Sequence, residues 1–270
     1  PEARTALKFF RIDGRYDVIG TGSLLGVKGY GKEPKSIPVG SETVIDMYPL
    51  DFEEFLWANG IAAPVINMLR HCLLKEVPVP EALHNRMKQL LLQYAVVGGM
   101  PDAVQTFVDT KQMDAVLQIQ RDIVRSYEDD MVKYAERKDK SKIKECFQSI
   151  PRQLSKENKK FQYSVVKKGS TSSKYAGSLQ WIEDAGIIIR AYNLSITELP
   201  LDGNAEEDVF KVYMRDCGLF VSMLEDGTQF DILNGNLHGY KGAIFENLIA
   251  DIFGKMGRRL YYFHKDSGLE

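Results

Sequence analysis

The sequence predicts an α/β plus α fold, and three observations support this class. Apolar runs beside glycine and proline, at residues 15–26 and 43–50, are typical of short strands and their turns. Residues 111–134 carry apolar side chains at helical spacing, which indicates one long amphipathic helix. Residues 240–264 have the pattern of another helix followed by a strand. We therefore expect α/β parts on either side of a mainly helical middle.

The stretch RYDVIGTGSLLG, residues 15–26, predicts a short buried strand that ends at Gly20. The turn after it contains Thr21, Gly22 and Ser23, whose hydroxyls and backbone N–H groups could hydrogen-bond a phosphate. The alternative is that Gly20 and Gly22 only allow the chain to turn and that the segment binds no ligand. The phosphate loop G-x-x-x-x-G-K-[ST] is absent from the chain, so this stretch alone does not establish a nucleotide site.

Two helices are predicted after the second strand. Asp51 and Glu54 have the spacing of a capping box, which marks the start of the first helix. The second helix begins after Pro80, has apolar residues at helical spacing, and ends at the pair Gly98-Gly99. The N-terminal part of the chain is therefore expected to close with helices.

The middle of the chain has the element order of a winged helix, with helices followed by two strands. Residues 143–150 mark one helix that Pro151 halts, and residues 172–185 mark the next. The runs IIIRAYNL and VFKVYMRD follow as strands, and an acidic loop separates them. A helical bundle with an appended hairpin has the same order, so both architectures remain open at this point.

The net charge of −2 conceals a basic block. Residues 137–174 contain 12 lysines and arginines against 3 acidic residues, a net charge of +9. Such density is typical of a surface that binds nucleic-acid phosphates. A solvated face, or a surface that docks on the acidic remainder of the chain, has the same composition. In a winged helix, STSSKYAGSLQW, residues 170–181, would be the recognition helix. The candidate nucleic-acid-binding residues are Lys156, Lys159, Lys160, Lys167, Lys168 and Lys174.

Cysteine usage and the absence of long apolar runs predict a cytoplasmic protein without a membrane partner. Cys72, Cys146 and Cys217 are far apart and show no C-x-x-C spacing, which favours reduced thiols over a disulfide or a zinc site. No apolar run approaches the roughly 18 residues of a membrane span, and no signal-peptide pattern is present. We expect no metal ligand set in this chain. Both ends look cut, which indicates an internal portion of a longer protein.

Several segments, taken in order, resemble a prokaryotic AAA+-type P-loop ATPase family. They are VIGTGSLLG, VIDMYPLDFEEFL, VGGMPDAV, YEDDMVKY, IPRQLSKENKKFQYSVVKKG, KYAGSLQWIEDAGII, PLDGNAEEDVFKVYMRDCGLF and YKGAIFENLIADIF. In that family an ATPase domain precedes a winged helix and a restriction-endonuclease-like domain. The resemblance implies the C-terminal part of an ATPase domain with its helical lid in residues 1–110, and a winged-helix-like DNA-binding domain in residues 111–205. Residues 206–270 would be the start of a truncated endonuclease-like α/β domain.

The resemblance also implies roles for residues of the ATPase part. Thr21 and Ser23 fall at the end of the sensor-1 strand and would act catalytically, facing the γ-phosphate and the attacking water. Gly98, Gly99 and Pro101 fall in the lid, beside the nucleotide base. The Walker A and Walker B motifs are not in this chain. ATP and Mg²⁺ are therefore expected as cofactors of the longer protein, and the fragment alone is expected to be inactive.

In the endonuclease-like part, the resemblance singles out Glu246. It matches the helix glutamate of a core that binds Mg²⁺ with a strand aspartate and an E-x-K pair. The strand that would carry these partners is only beginning where the chain ends, at Glu270. Glu246 lies away from the centre of an apolar stripe, so a solvated helix residue is the alternative.

Taken together, the resemblance implies part of an ATP-binding ATPase that interacts with double-stranded DNA. Nucleotide-dependent movement of the lid would be coupled to the basic winged-helix domain. Further copies of the chain, as a homo-oligomer, are a second expected partner. The alternative is a non-enzymatic regulatory or protein-interaction module with a degenerate ATPase half.

Overall fold

The computed structural model describes residues 2–21, 40–135, 137–156, 160–236 and 240–264. In this part the chain is a mixed helix and sheet structure in which helices predominate. The helices are α1 (Glu2–Asp13), α2 (Phe52–Ala58), α3 (Ala63–Leu74), α4 (Glu81–Val97), α5 (Pro101–Thr110), α6 (Met113–Tyr134), α7 (Lys140–Leu154), α8 (Tyr163–Val166), α9 (Ser172–Asp184), α10 (Cys217–Ser222), α11 (Thr228–Leu233) and α12 (Lys241–Lys255). The strands are β1 (Ile188–Leu194), β2 (Ala205–Met214) and β3 (Leu260–Tyr262).

The described strands form one sheet in the order β2-β1-β3. Strands β1 and β2 are antiparallel, from the pair Ile188↔Met214 to the pair Leu194↔Ala205. Strand β3 runs parallel to β1 and begins opposite Ala191. Because β3 is short, the first residues of β1 have no described strand beside them on that edge.

Helices α9 and α12 cover opposite faces of this sheet. On one face, Arg190 of β1 forms an ion pair with Glu183 of α9. On the other face, Ile189 approaches Gly254 of α12. Successive side chains of a strand point to opposite faces, so the two helices enclose β1 between them.

The helices that the sequence marks most clearly are formed. The capping box at the start of α2 is confirmed: the Asp51 carboxylate accepts from the Glu54 N–H at 2.9 Å, and the Glu54 carboxylate accepts from the Asp51 N–H at 2.8 Å. The long amphipathic helix is α6, and the predicted helix at residues 172–185 is α9. The runs IIIRAYNL and VFKVYMRD form most of β1 and β2. The order of helices followed by an antiparallel strand pair is therefore present.

Two predicted strands are not formed, and these predictions are wrong. Residues 14–21 contain no helix or strand, and Ile19 is 91% exposed. Residues 43–50 are likewise irregular, and Ile45 is 84% exposed. No described strand lies beside either segment, so neither forms a strand ladder with a described residue. At the end of the second segment, Leu50 packs against the common core.

The predicted domain boundary at residues 205 and 206 passes through the sheet. Strand β2 begins at Ala205 and pairs with β1, so the strand pair joins the second and third predicted segments. One contiguous hydrophobic core also includes Phe55, Phe147 and Phe220, which come from all three segments. The division into domains stays a prediction.

Within the described ranges, no helix has both the length and the apolar character that crossing a membrane requires.

Candidate nucleic-acid interface

Helix α9 is held against α7 and the sheet by a buried face and two polar contacts. Leu179 and Ile182 are buried in the common core. The Tyr175 hydroxyl donates to the Glu145 carboxylate of α7 at 2.6 Å. At the other end of the helix, Glu183 pairs with Arg190 of β1. The orientation of α9 is therefore set at both ends.

The N-terminal half of α9 presents a face of small and polar residues. The residues exposed there are Ser172, Ser173, Lys174, Ala176 and Gly177. A Cβ atom added at Gly177 would meet nothing within 4 Å. The first turn contains no acidic residue. A negatively charged polymer could therefore approach this face closely, without a bulky side chain or a carboxylate in its path.

Three of the six candidate lysines lie at this end of α9. Lys167 pairs with Glu145 at 2.9 Å, and this bond raises the pKa of the lysine ammonium. Lys168 and Lys174 are exposed and have no ion pair with any described residue. Gly169, at φ +81°, turns the chain from the lysine pair into the helix. Lys168 and Lys174 are thus available beside the exposed face, whereas Lys167 is held by Glu145.

The other three candidate lysines belong to the connection between α7 and α8. Lys156 is exposed, with its ammonium 3.4 Å from the Gln162 side chain, and Lys160 is half-buried. Lys159 lies outside the described residues. The connection is anchored to β2 where the Phe161 N–H donates to the Phe210 carbonyl at 2.8 Å. This group is therefore a separate part of the basic block.

The connection between β1 and β2, which would be the wing of a winged helix, is acidic. Its exposed acidic residues, with those at the start of β2, are Glu198, Asp202, Glu206, Glu207 and Asp208. Carboxylates repel backbone phosphates, so this connection is unsuited to phosphate contact. A bound duplex would have to lie on α9 and the lysines before it.

Residues that the resemblance places at the nucleotide lie apart from this face. Thr21 is exposed in an irregular segment, and Ser23 lies outside the described residues. Pro101 is the exposed first residue of α5. Gly98 and Gly99 are buried. The described structure does not bring these residues together as one site.

The Gly98-Gly99 turn is filled by the protein itself. A Cβ atom at Gly98 would lie 2.2 Å from a carboxylate oxygen of Asp216, and one at Gly99 would lie 2.0 Å from the Leu50 carbonyl oxygen. The Gly99 N–H donates to the Asp216 carboxylate at 2.7 Å. Asp216 and Leu50 occupy the space beside the two glycines, so these residues leave no opening for the nucleotide base that the resemblance places there. Any role in ATP binding stays a prediction for the longer protein.

Asp216 belongs to a buried ionic cluster that the sequence did not predict. The Lys255 ammonium donates to the Asp251 carboxylate at 2.9 Å, to the Tyr94 hydroxyl at 2.8 Å and to the Leu50 carbonyl at 3.0 Å. Burial raises the pKa of Asp216. It also raises the pKa of Asp251 to about 7, because desolvation outweighs the attraction of Lys255. Asp251 and Lys255 are four residues apart on α12, but Leu50, Tyr94 and Asp216 lie far from them in sequence, so spacing did not reveal the cluster as a whole.

We expect Asp251→Asn to change the pH dependence of stability. The folded pKa of about 7 exceeds the ordinary value of 3.8, so between these pH values the unfolded chain loses a proton that the folded chain keeps. The Asp251 contribution therefore falls as pH rises through this window, by up to about 1.4 kcal/mol per pH unit. Urea titrations across the window should show a smaller loss for the variant. Asp231→Asn, at an exposed aspartate, is the control; the same slope in Asp251→Asn as in the wild type would contradict the assignment.

Glu246 is not a freely solvated helix residue. Its carboxylate accepts from the Tyr213 hydroxyl at 3.0 Å and lies 3.5 Å from the Lys211 ammonium, both on β2. In the described ranges, no group of three or more histidine, cysteine or acidic side chains is placed to hold a metal ion. These residues do not fit a Mg²⁺ site by themselves, so a catalytic role for Glu246 stays a prediction.

Comparison with known families gives one match. A family model described as a domain of unknown function, DUF8612, matches residues 88–229, which is more than half of the chain. The chain belongs to this family. The DUF8612 match begins within α4, includes the Gly98-Gly99 turn, α9 and the β1–β2 pair, and ends in α11. No curated protein and no solved structure matches the chain. The resemblance to AAA+-type ATPases stays a prediction.

Proposed function

We propose that this DUF8612 protein binds double-stranded DNA through the N-terminal half of α9, as part of an ATP-dependent ATPase. The observation that carries the proposal is the exposed face of small residues flanked by Lys168 and Lys174, two cations without an ion pair among the described residues. The absence of acidic residues from the first turn of α9 favours an approaching phosphate backbone.

The proposed mode of binding is contact with backbone phosphates and little base readout. Lysine ammonium groups bind phosphates as point charges and carry no sequence information. Ala176 and Gly177 offer no side-chain donor or acceptor to base edges. Affinity should therefore be similar for different sequences and should fall steeply with salt.

Coupling to ATP in this proposal runs through the Gly98-Gly99 turn. Gly99 donates to Asp216, which follows the end of β2 by two residues. Strand β2 pairs with β1, and β1 holds α9 through Arg190 and Glu183. A displacement of the Gly98-Gly99 turn would thus be transmitted to α9 through Asp216, β2 and β1. ATP and Mg²⁺ would bind outside the described residues.

The cellular setting is part of the same proposal. Cys72, Cys146 and Cys217 are free and buried, which is compatible with a reducing compartment such as the cytoplasm. Assembly with further copies of the chain follows from the resemblance to AAA+-type ATPases.

The test is duplex binding by the variant Lys168→Gln/Lys174→Gln. Each lost phosphate contact should reduce the slope of log affinity against log salt by about 0.9, or about 1.8 for both. Fluorescence anisotropy with a labelled duplex, at several salt concentrations and with two unrelated sequences, measures the slope. The matched control is Arg86→Gln/Lys88→Gln, which removes the same charge from the exposed side of α4. Equal slopes in the two variants would reject α9 as the interface and favour the protein-interaction alternative.

A further inference from the structure

A cavity of about 330 Å³ lies at the open edge of β1. Strand β3 begins only opposite Ala191, so Ile189 and Arg190 have no described strand beside them on that edge. The gap is bounded by α9 through Gln180 and Glu183, and by Arg258 and Arg259, which precede β3. The short third strand therefore creates the cavity.

The cavity wall carries an excess of positive charge. Four guanidinium groups line it, those of Arg190, Arg215, Arg258 and Arg259. The single carboxylate in the wall is that of Glu183, which pairs with Arg190. Like charges so close together repel each other, and an anion between them would relieve this repulsion.

The four guanidinium groups are not equally engaged by the protein. Arg190 is bound to Glu183 and Gln180, and Arg259 is paired with Asp202. Arg215 donates from its Nε–H to the Ile188 carbonyl at 3.2 Å, lies 5.6 Å from the centroid of the Tyr48 ring and lowers the pKa of Asp251. It forms no salt bridge with a described carboxylate, unlike Arg190 and Arg259.

Arg258 is the least engaged of the four. Within the described ranges its side chain has no hydrogen bond or ion pair, although its backbone N–H donates to the Phe253 carbonyl at 3.1 Å. Arg215 and Arg258 are therefore the two arginines of the wall that form no salt bridge with a described residue.

The Tyr192 ring contacts two of the guanidinium groups in the cavity wall. The Arg190 guanidinium lies 5.7 Å and the Arg259 guanidinium 5.3 Å from the centroid of its ring. Such cation–π contacts hold the planar guanidinium groups in place. Two arginines of the wall, Arg190 and Arg259, are thus held in place beside Arg215 and Arg258.

We propose that this cavity binds a phosphate monoester, with Arg215 and Arg258 as its principal contacts. A phosphate monoester carries between about −1.5 and −2 charges at neutral pH, which suits two guanidinium groups without a salt bridge to a described carboxylate. The guanidinium fork binds phosphate oxygens in pairs. The volume lies at the lower end of the range for small-molecule sites, which fits a single nucleotide and excludes a duplex.

The site is distinct from the proposed duplex interface. It uses the C-terminal half of α9, through Gln180 and Glu183, whereas the duplex would contact the N-terminal half. The monoester has two chemical sources, a free nucleotide and the 5′-phosphate at the end of a nucleic-acid strand. Both present the same terminal group to the arginines.

The first experiment compares adenosine 5′-monophosphate, inorganic phosphate and adenosine as probes of the 270-residue chain, by isothermal titration calorimetry and thermal denaturation. Adenosine 5′-monophosphate and phosphate should bind and raise the Tm, and adenosine should do neither. Binding of adenosine as strong as that of its monophosphate, or no binding of either phosphate probe, would overturn the proposal.

Variants then assign the contact. Arg258→Gln should weaken binding of adenosine 5′-monophosphate about tenfold. Arg86→Gln, which removes an exposed arginine of α4, should leave it unchanged. Arg215→Lys keeps the charge but loses the fork, so it should also weaken binding. Wild-type affinity in both Arg258→Gln and Arg215→Lys, with folding verified by circular dichroism, would remove these residues from the site.

Competition separates the two sources and the two proposals. Displacement of the nucleotide by a 5′-phosphorylated single strand, but not by its unphosphorylated form, would assign a strand end as the ligand. Displacement by neither strand would assign the free nucleotide. Lys168→Gln/Lys174→Gln should bind the nucleotide like the wild type, so loss of duplex binding and loss of nucleotide binding can be told apart.

Discussion

Gly99→Ala is expected to destabilise the fold more than any other substitution proposed for this protein. The new Cβ would lie 2.0 Å from the Leu50 carbonyl oxygen and 2.8 Å from the Leu50 nitrogen, both backbone atoms that cannot turn aside. Moving the chains apart would break the bond from the Leu50 N–H to the Gly99 carbonyl, 2.7 Å, and the bond from the Gly99 N–H to Asp216. We expect destabilisation of more than about 4 kcal/mol.

The matched control for this prediction is Gly177→Ala in α9. A Cβ atom there meets nothing within 4 Å, and alanine favours a helix interior over glycine by about 1 kcal/mol. Urea denaturation should therefore show slight stabilisation for Gly177→Ala and a large loss, or no folded protein, for Gly99→Ala. If Gly99→Ala unfolded within about 1 kcal/mol of the wild type, the close packing of the turn against Leu50 would be refuted.

Lys255→Met should have the second-largest effect. Lys255 is 7% exposed and its partner Asp251 is 2% exposed, so the ion pair is shielded from water. Removing the ammonium would leave Asp251 without its cation and would also take away a donor to Leu50 and Tyr94. Loss of one partner of a buried pair costs about 3–5 kcal/mol. We expect a loss of this size above pH 7, where Asp251 of the wild type is ionised.

The pH dependence gives this prediction a second readout. Lys255 lowers the pKa of Asp251, so in Lys255→Met that pKa lies higher than the wild-type value of about 7. The loss relative to the wild type should therefore grow as the pH rises above about 7 and level off below it, where Asp251 is protonated in both proteins. Lys88→Met, at an exposed lysine of α4, is the control and should differ from the wild type by less than about 0.5 kcal/mol. Indistinguishable losses in the two lysine variants above pH 7 would contradict the buried-pair account.

A double-mutant cycle locates the effect. Asp251→Asn/Lys255→Met removes both charges, and it should be less destabilised than the sum of the single variants. Strict additivity would show that Asp251 and Lys255 do not interact.

The sequence predicted elements whose signals are local. Helix α2 begins at a capping box formed by Asp51 and Glu54, which are three residues apart. Helices α6 and α9 follow apolar stripes, and β1 follows a run of β-branched residues. The basic block was also visible, because charge counts need no structure.

Predictions about features that depend on contacts with distant parts of the chain were less successful. Residues 15–20 have the apolar character of a strand, but no described strand lies beside them. The resemblance implies that Gly98 and Gly99 belong to a mobile lid, whereas contacts with Leu50 and Asp216 enclose them. The pair Arg258-Arg259 gave no signal of a site, because two adjacent arginines are ordinary on a surface.

The sequence by itself determined six of the described helices, the β1–β2 pair and the charge of the basic block, because these depend on residues close together in the chain. The six helices are α2, α4, α6, α7, α9 and α12. Only the tertiary structure decided that Tyr94, Asp216 and Lys255 share one buried cluster. It also decided that four arginines line one cavity: Arg190, Arg215, Arg258 and Arg259. Packing between distant parts of the chain joins these groups. It buries Asp251, which raises the pKa of that carboxyl, and it places several arginines around one cavity.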